Sequence, residues 1–162
     1  MIPSEIRQYY RSGGLRGVAG RVHNFVLNRL RQHTGPRMQP TSYLVRFHEH
    51  DVPDQMRIGE RYRMHVTVVN QSTRTWTSHD ITLSYRWYTD AGNQPILSDE
   101  VPRTPLPTIV QPGQATKLQI DVRAPEVPGS YTLALDMLEG RNTWFADIVP
   151  GVAQSISVVI EN

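Results

Sequence analysis

From residue 41 onward, apolar residues alternate with polar ones along short segments, and this period of two restricts the chain to β-structure. Successive side chains of a strand point to opposite faces, so each segment has one face to bury and one face for water. Turn-forming pairs such as Pro112-Gly113 and Pro128-Gly129 separate the segments. The pattern predicts an all-β fold, an antiparallel sandwich of about seven strands in two packed sheets.

The predicted strands are Ser42–His48, Tyr62–Asn70, Ile81–Tyr88, Gln94–Val101, Ala115–Val122, Tyr131–Met137 and Ser155–Ile160. Gln94–Val101 is expected at a sheet edge, because Pro95 lacks the N–H that an inner strand needs.

Four residues are assigned to the structural core: Trp87, Tyr131, Leu133 and Leu135. Trp87 lies in mid-strand and is expected to be the tryptophan on which both sheets pack. Tyr131 follows Pro128-Gly129 directly and is placed like a corner tyrosine, whose hydroxyl bonds to the backbone upstream.

The first 40 residues follow a different pattern. Gly35-Pro36 and Pro40 end this region, since a helix rarely continues through such residues. The sequence therefore predicts a basic amphipathic N-terminal arm at 1–40 and a β-sandwich domain at 41–162.

Charge separates the two regions as well. The arm has seven arginines and one acid, a net charge of +6, whereas residues 41–162 have ten basic and fourteen acidic residues, a net charge of −4. A basic extension on a mildly acidic body is typical of a tether to a negative surface. The alternative is a solvated tail without a partner.

Within the arm, apolar residues recur at helical spacing between Leu15 and Leu30, and most arginines fall off that stripe. Such a basic amphipathic helix suits an anionic bilayer surface or a groove on a partner protein. The stripe also suits docking on the sandwich of the same chain, and this alternative stays open. The predicted binding residues are Arg7, Arg11, Leu15, Arg16, Val18, Arg21, Val22, Phe25, Val26, Arg29, Leu30 and Arg31.

Several motifs occur in a recognisable order: Leu83-Ser84-Tyr85-Arg86-Trp87-Tyr88, Arg103-Thr104-Pro105-Leu106-Pro107, Ala124-Pro125-Glu126-Val127-Pro128-Gly129-Ser130-Tyr131 and Trp144-Phe145. Over roughly residues 60–160 the chain resembles an immunoglobulin-like domain appended to bacterial methyltransferases and glycosyltransferases of surface-polysaccharide pathways. It is more distantly similar to the tryptophan-rich immunoglobulin-like domain of selective-autophagy receptors. The resemblance implies an immunoglobulin-like fold, and the arm stands where those proteins have a catalytic domain.

Catalytic chemistry is not indicated. The chain has no cysteine, which excludes disulfides and thiolate ligands. The only histidine cluster, His48-Glu49-His50-Asp51, lacks a third fixed ligand for a metal. Phosphate-binding glycine loops and nucleophile motifs are also missing from the sequence. We expect no catalytic residues, no metal and no cofactor, and therefore no enzyme.

These observations favour a non-catalytic structural or adaptor subunit. Its arm is expected to dock on an anionic membrane surface or on other subunits of a larger membrane complex, and its sandwich to brace neighbouring subunits. A bacterial energy-transducing or photosynthetic assembly is one host that fits. The first residues lack the charged start and apolar core of a secretory signal, which predicts a peripheral position on the cytoplasmic side. Nucleic acid is a disfavoured partner, because the body offers no basic groove.

The alternative function is a carbohydrate-binding or polysaccharide-pathway accessory module. Exposed Trp76, Tyr88 and Trp144 would then form a platform for sugar rings. Against this, Trp76 and Trp144 also suit a role in closing the ends of the sandwich.

Overall fold

Two β-sheets contain nearly all the regular structure of the residues that the structure describes. The computed structural model describes residues 40–90, 94–96 and 102–162. Its strands are β1 (Val45–His50), β2 (Gln55–Arg57), β3 (Arg61–Asn70), β4 (Ile81–Thr89), β5 (Thr104–Pro105), β6 (Ala115–Arg123), β7 (Gly129–Glu139), β8 (Thr143–Trp144) and β9 (Gln154–Glu161). Pro40–Tyr43 forms a single 3₁₀ turn, and Phe145–Ile148 forms a one-turn helix, α1. The fold is therefore mostly β, with almost no helix.

The predicted arm lies almost entirely outside this part of the chain. All of its predicted binding residues, from Arg7 to Arg31, fall within residues 1–39, which the structure does not describe. The helical arm and the boundary near residue 40 therefore stay predictions. None of the helices in the described ranges is long and apolar enough to cross a membrane.

The smaller sheet has the strand order β1-β3-β6, and the larger has β2-β9-β7-β4-β5, with β8 paired to β7. Among the strands named above, all pairs but one are antiparallel. β2 runs parallel to β9, with Met56 opposite Ile160, so the prediction of a purely antiparallel fold is wrong at this edge. A period-two pattern reports which face a residue occupies, and it carries no information about the direction of a neighbouring strand.

Six of the predicted strands are present, as β1, β3, β4, β6, β7 and β9. The first begins at Val45 because Ser42 and Tyr43 belong to the 3₁₀ turn. Of the predicted strand Gln94–Val101, only residues 94–96 are described, and Pro95 forms an isolated bridge with Tyr88. Strands β2, β5 and β8 were not predicted, because two or three residues are too few to show an alternation.

Both sheets contribute to one hydrophobic core. Inward residues of the small sheet, such as Val66 and Ile120, belong to the same cluster as inward residues of the large sheet, such as Leu83. The four predicted core residues, Trp87, Tyr131, Leu133 and Leu135, are all buried.

Two of the core aromatics also bind backbone through their polar ends. Trp87 Nε1 donates to the Arg123 carbonyl at 2.9 Å, which links β4 of the large sheet to β6 of the small sheet. The Tyr131 hydroxyl donates to the Val127 carbonyl at 2.9 Å, so it binds the upstream backbone as the sequence predicts. Each bond satisfies a polar atom that burial would otherwise leave without a partner.

Candidate functional site

An ion pair with two neighbouring residues holds the chain where it enters the described domain. Tyr43, at the end of the 3₁₀ turn, donates its hydroxyl to Glu139 Oε2 at 2.6 Å. Arg74, in the β3–β4 connection, pairs with the other carboxylate oxygen of Glu139 and donates Nε to the Ser42 carbonyl at 3.1 Å. Its guanidinium carbon lies 5.0 Å from the centre of the Tyr43 ring. We call Ser42, Tyr43, Arg74 and Glu139 the N-terminal clamp.

Burial and hydrogen bonding together set the protonation of the clamp. Burial, together with the hydrogen bond to Glu139, raises the pKa of Tyr43 to about 12, so this hydroxyl keeps its proton. Burial would also raise the pKa of Glu139, but hydrogen bonds from Arg74 and Tyr43 outweigh it and hold that pKa below its ordinary value. The clamp therefore contains an ionised carboxylate and a guanidinium that neutralise each other.

The clamp is positioned by a buried polar cluster beside it. The Asn70 side chain is 0% exposed and donates to the carbonyls of Arg74 at 2.8 Å and Val110 at 3.0 Å. Its oxygen accepts from the Ser72 amide and hydroxyl, and that hydroxyl oxygen accepts from Trp76 Nε1 at 3.1 Å. Asn70-Gln71-Ser72 fits the sequence pattern for N-glycosylation. The side-chain amide of Asn70, however, is buried and holds the backbone of Arg74 in place through its hydrogen bonds.

The sugar platform expected from Trp76, Tyr88 and Trp144 is not assembled. Trp76 is 0% exposed and lies edge-to-face against Phe145, with ring centres 5.8 Å apart. It is a core residue, so the expectation that it is exposed is wrong. Tryptophan is highly buried on average in folded proteins, and here it belongs to the same core cluster as the inward residues of both sheets.

Trp144 is also largely covered, being only 8% exposed. The Arg86 guanidinium carbon lies 3.8 Å from the centre of a Trp144 ring, and Arg86 binds Asp147 through two hydrogen bonds of 3.1 Å. The cation occupies the ring face that a sugar would need. Both tryptophans are therefore buried within the described domain, and neither offers a ring face to a sugar.

Tyr88 is half-buried and borders an open groove of about 470 Å³ on the outer face of the large sheet. The other residues that line the groove are Thr89, Asp90, Thr132, Ala134, Ala153 and Ser155. The groove holds one ionisable acid and several hydroxyls.

A buried carboxylate lies on the same outer face. Asp136, 3% exposed, accepts hydrogen bonds from the amides of Met137 at 2.8 Å and Ala146 at 3.0 Å. Burial raises the pKa of Asp136 to about 6. The hydrogen bonds from the two amides and the charge of Arg86 lower that pKa, but burial outweighs them. The bond to Ala146 ties helix α1 to β7, so Asp136 has a structural task in the fold.

The histidine cluster does not form a metal site in the described residues. His48 is the extra residue of a β-bulge in β1, and its ring lies 3.8 Å from Glu49 on the surface. Asp51 instead binds His65, at 3.0 Å from its Nδ1. Within 40–90, 94–96 and 102–162, no group of three or more such side chains is placed to hold a metal ion.

No family profile and no curated protein matches this sequence. Among solved structures, a β-glucosidase from Listeria innocua in complex with glucose is 12% identical, with a TM-score of 0.43. The match covers 73% of this chain and 16% of that one, so the chain spans a small part of that enzyme.

Two further matches are of similar strength. An alkylpurine DNA glycosylase, AlkC, from Pseudomonas fluorescens is 11% identical with a TM-score of 0.43, over 73% of this chain and 30% of the other. A CARDB domain from Pyrococcus furiosus, in complex with di-metal ions, is 11% identical with a TM-score of 0.42, over 73% and 86%. At these scores the likenesses assign neither a fold family nor a function.

The clamp makes a first prediction. Glu139→Gln removes the charge that balances Arg74, whose Nη2 is buried without a hydrogen-bond partner in the described part of the chain. We expect the free energy of unfolding to fall by about 1–3 kcal/mol, measured by urea denaturation at neutral pH. Glu161→Gln, at an exposed strand end, is the matched control and should change it by less than about 0.5 kcal/mol. Equal effects of the two substitutions would contradict a role for the clamp.

Asp136 makes a second prediction, on pH dependence. Because its folded-state pKa is raised from 3.8 to about 6, its contribution to stability is complete below pH 4 and is lost as pH rises through 6. Asp136→Asn stays neutral throughout. Relative to the unmodified protein, this variant should therefore gain about 2–3 kcal/mol in unfolding free energy between about pH 4 and pH 7.5.

The comparison is made by urea denaturation of both proteins at each pH, which cancels the contributions of the other carboxylates. Asp54→Asn, at an exposed residue, controls for the substitution itself. A difference between Asp136→Asn and the unmodified protein that stays constant with pH would show that Asp136 is not a perturbed acid.

Proposed function

We propose that the described domain is an immunoglobulin-like β-sandwich and that the chain is a non-catalytic structural or adaptor subunit. The distribution of strands supports the first part. β1, β3 and β6 share one sheet, as strands A, B and E do in immunoglobulin domains, and β4, β7 and β9 share the other, as C, F and G do. The resemblance to modules of polysaccharide enzymes and autophagy receptors is part of the same proposal.

Two side chains support the same assignment. Trp87 is buried on β4, where immunoglobulin domains have their core tryptophan on strand C. Tyr131, near the start of β7, binds the Val127 carbonyl, as the corner tyrosine of strand F binds upstream backbone. This chain has no cysteine and so builds such a core without the disulfide found in antibody domains.

The adaptor role rests on one observation above all, the charge split between an arm of +6 and a body of −4. Each arginine near an anionic bilayer contributes about 1 kcal/mol, so several together hold a protein there at moderate salt. The same basic stripe suits an acidic groove on another subunit of a membrane complex.

The N-terminal clamp gives the domain a firm point of attachment. It fixes Ser42 and Tyr43 to the β3–β4 connection and to the end of β7. A load applied through the preceding residues therefore reaches both sheets of the domain. We place the protein peripherally on the cytoplasmic side of a membrane, with its sandwich bracing neighbouring subunits.

Flotation with lipid vesicles tests this role. We expect the full chain to bind vesicles containing about 30% anionic lipid at low salt, and to bind neutral vesicles much less. Replacing Arg16, Arg21, Arg29 and Arg31 by Gln should weaken binding about a hundredfold or more, because the electrostatic contributions are lost together.

The matched control replaces four exposed arginines of the body, Arg46, Arg57, Arg61 and Arg141, by Gln, which changes the net charge equally. If both quadruple variants lose binding to the same extent, net charge alone explains it and the arm is not the anchor. If the unmodified protein ignores anionic vesicles, a detergent extract of source membranes becomes the probe, with co-purification of membrane subunits as the expected result. Failure of both experiments would refute the adaptor role.

A further inference from the structure

Strand β6 is an edge of the smaller sheet. It pairs with β3 along one side, in the order β1-β3-β6, and carries exposed residues at every second position. Long open edges attract other strands, so natural proteins cover or charge them. What the free side of β6 offers to a partner depends on which backbone groups point away from β3.

The hydrogen bonds at the two ends of the β3–β6 pair answer that question. Asn70 donates its amide to the Gln114 carbonyl at 3.0 Å, and Ala124 donates its amide to the Glu60 carbonyl at 2.9 Å. The register between these ends is continuous. Because bonded and non-bonded pairs alternate in an antiparallel ladder, the even-numbered residues of β6 bond to β3, and the odd-numbered residues turn their N–H and C=O groups outward.

One end of the outward row is already closed. The Arg123 amide donates to the Tyr85 hydroxyl at 3.0 Å, and its carbonyl accepts from Trp87 Nε1 at 2.9 Å. Within 40–90, 94–96 and 102–162, no hydrogen bond joins the outward backbone groups of Lys117, Gln119 or Asp121. A short segment centred on Gln119 is thus available, with one defined end.

The side chains of this segment are self-complementary. We propose that β6 pairs antiparallel with β6 of a second copy of this chain, about a two-fold axis at Gln119, joining two small sheets into one. Gln119 then faces its own equivalent, and Lys117 faces Asp121 of the other copy, twice by symmetry. Outward backbone groups meet outward backbone groups at each of these pairs, as the ladder requires.

Charge favours this register over its neighbours, because it is the register that places Lys117 opposite Asp121. Shifting the axis to Lys117 places two lysines opposite each other, and shifting it to Asp121 does the same with two aspartates. Shifting it to Ile120 places Lys117 opposite Arg123, whose edge is closed. Like charges directly opposite destabilise a sheet and opposite charges stabilise it.

Asp121 is held in the charged form that this pairing needs. The hydrogen bond from Arg63, at 2.9 Å on β3, lowers the pKa of Asp121. In the paired sheet, Arg63, Asp121 and Lys117 of the second copy form a row of alternating charge. A lysine in an edge strand disfavours pairing with unrelated strands. Lys117 therefore restricts pairing to a strand that places an acidic residue opposite it, as Asp121 of the second copy does.

Sedimentation velocity of the full 162-residue chain at low salt is the test, over about 5 to 500 µM as suits a small interface. We expect a reversible monomer–dimer equilibrium. Lys117→Asp and Asp121→Lys should each weaken the dimer about tenfold or more, since both symmetric pairs change from attraction to repulsion. An equimolar mixture of the two variants should form a heterodimer, because every Asp then faces a Lys.

Arg141→Asp, an exposed charge reversal away from β6, is the matched control and should leave the dimer unchanged. Gln119→Pro supplies a second variant: it removes an outward N–H without breaking a bond to β3, and it should abolish the dimer if it folds. A chain that stays monomeric throughout, or a dimer that survives both charge reversals, overturns the proposal. The arm's docking on membranes is a separate property, and loss of vesicle binding would leave this result unaffected.

Discussion

The inner faces of the two sheets bury each other's apolar side chains, and the arrangement of the strands follows from that contact. On β6 the even-numbered residues Leu118, Ile120 and Val122 point into the shared core. In a strand, the side-chain direction and the backbone hydrogen-bonding direction alternate together. Burying the even-numbered side chains beside β3 therefore also decides that the odd-numbered residues turn their side chains to the outer face of the sheet and their open backbone groups to its free edge.

Polar interactions lie at the margins of this apolar core, where backbone and side-chain polar groups need partners. Tyr85 and Trp87 end the open edge at Arg123, the Asn70 cluster closes the β3–β4 connection, and the clamp holds the incoming chain. The Asn70 cluster in particular gives buried polar groups a protein partner, and leaving such a group without one costs about 1–3 kcal/mol. The result is a domain with a fixed attachment point near residue 42 and an edge with a defined register.

Alternation in the sequence was enough to predict six strands and the burial of Trp87 and Tyr131, because a long half-buried strand repeats its signal several times. β2 and β8 are too short to do so. The clamp cannot be predicted from the sequence for another reason. Its members Tyr43, Arg74 and Glu139 are far apart in the sequence, and only the fold brings them together. The sequence leaves two roles open for Trp144, a sugar platform or a structural residue, because nothing near it in sequence shows that Arg86 covers its ring.

The most direct test of this geometry is amide hydrogen exchange along β6, measured residue by residue by NMR at low and high protein concentration. The even-numbered amides of Leu118 and Ile120 should be protected at both concentrations by their bonds to β3, and the Arg123 amide by Tyr85. The amides of Lys117, Gln119 and Asp121 should exchange quickly in the dilute protein and slow down in the concentrated one. Equal protection of odd- and even-numbered amides in the dilute protein would contradict an edge left open on one side.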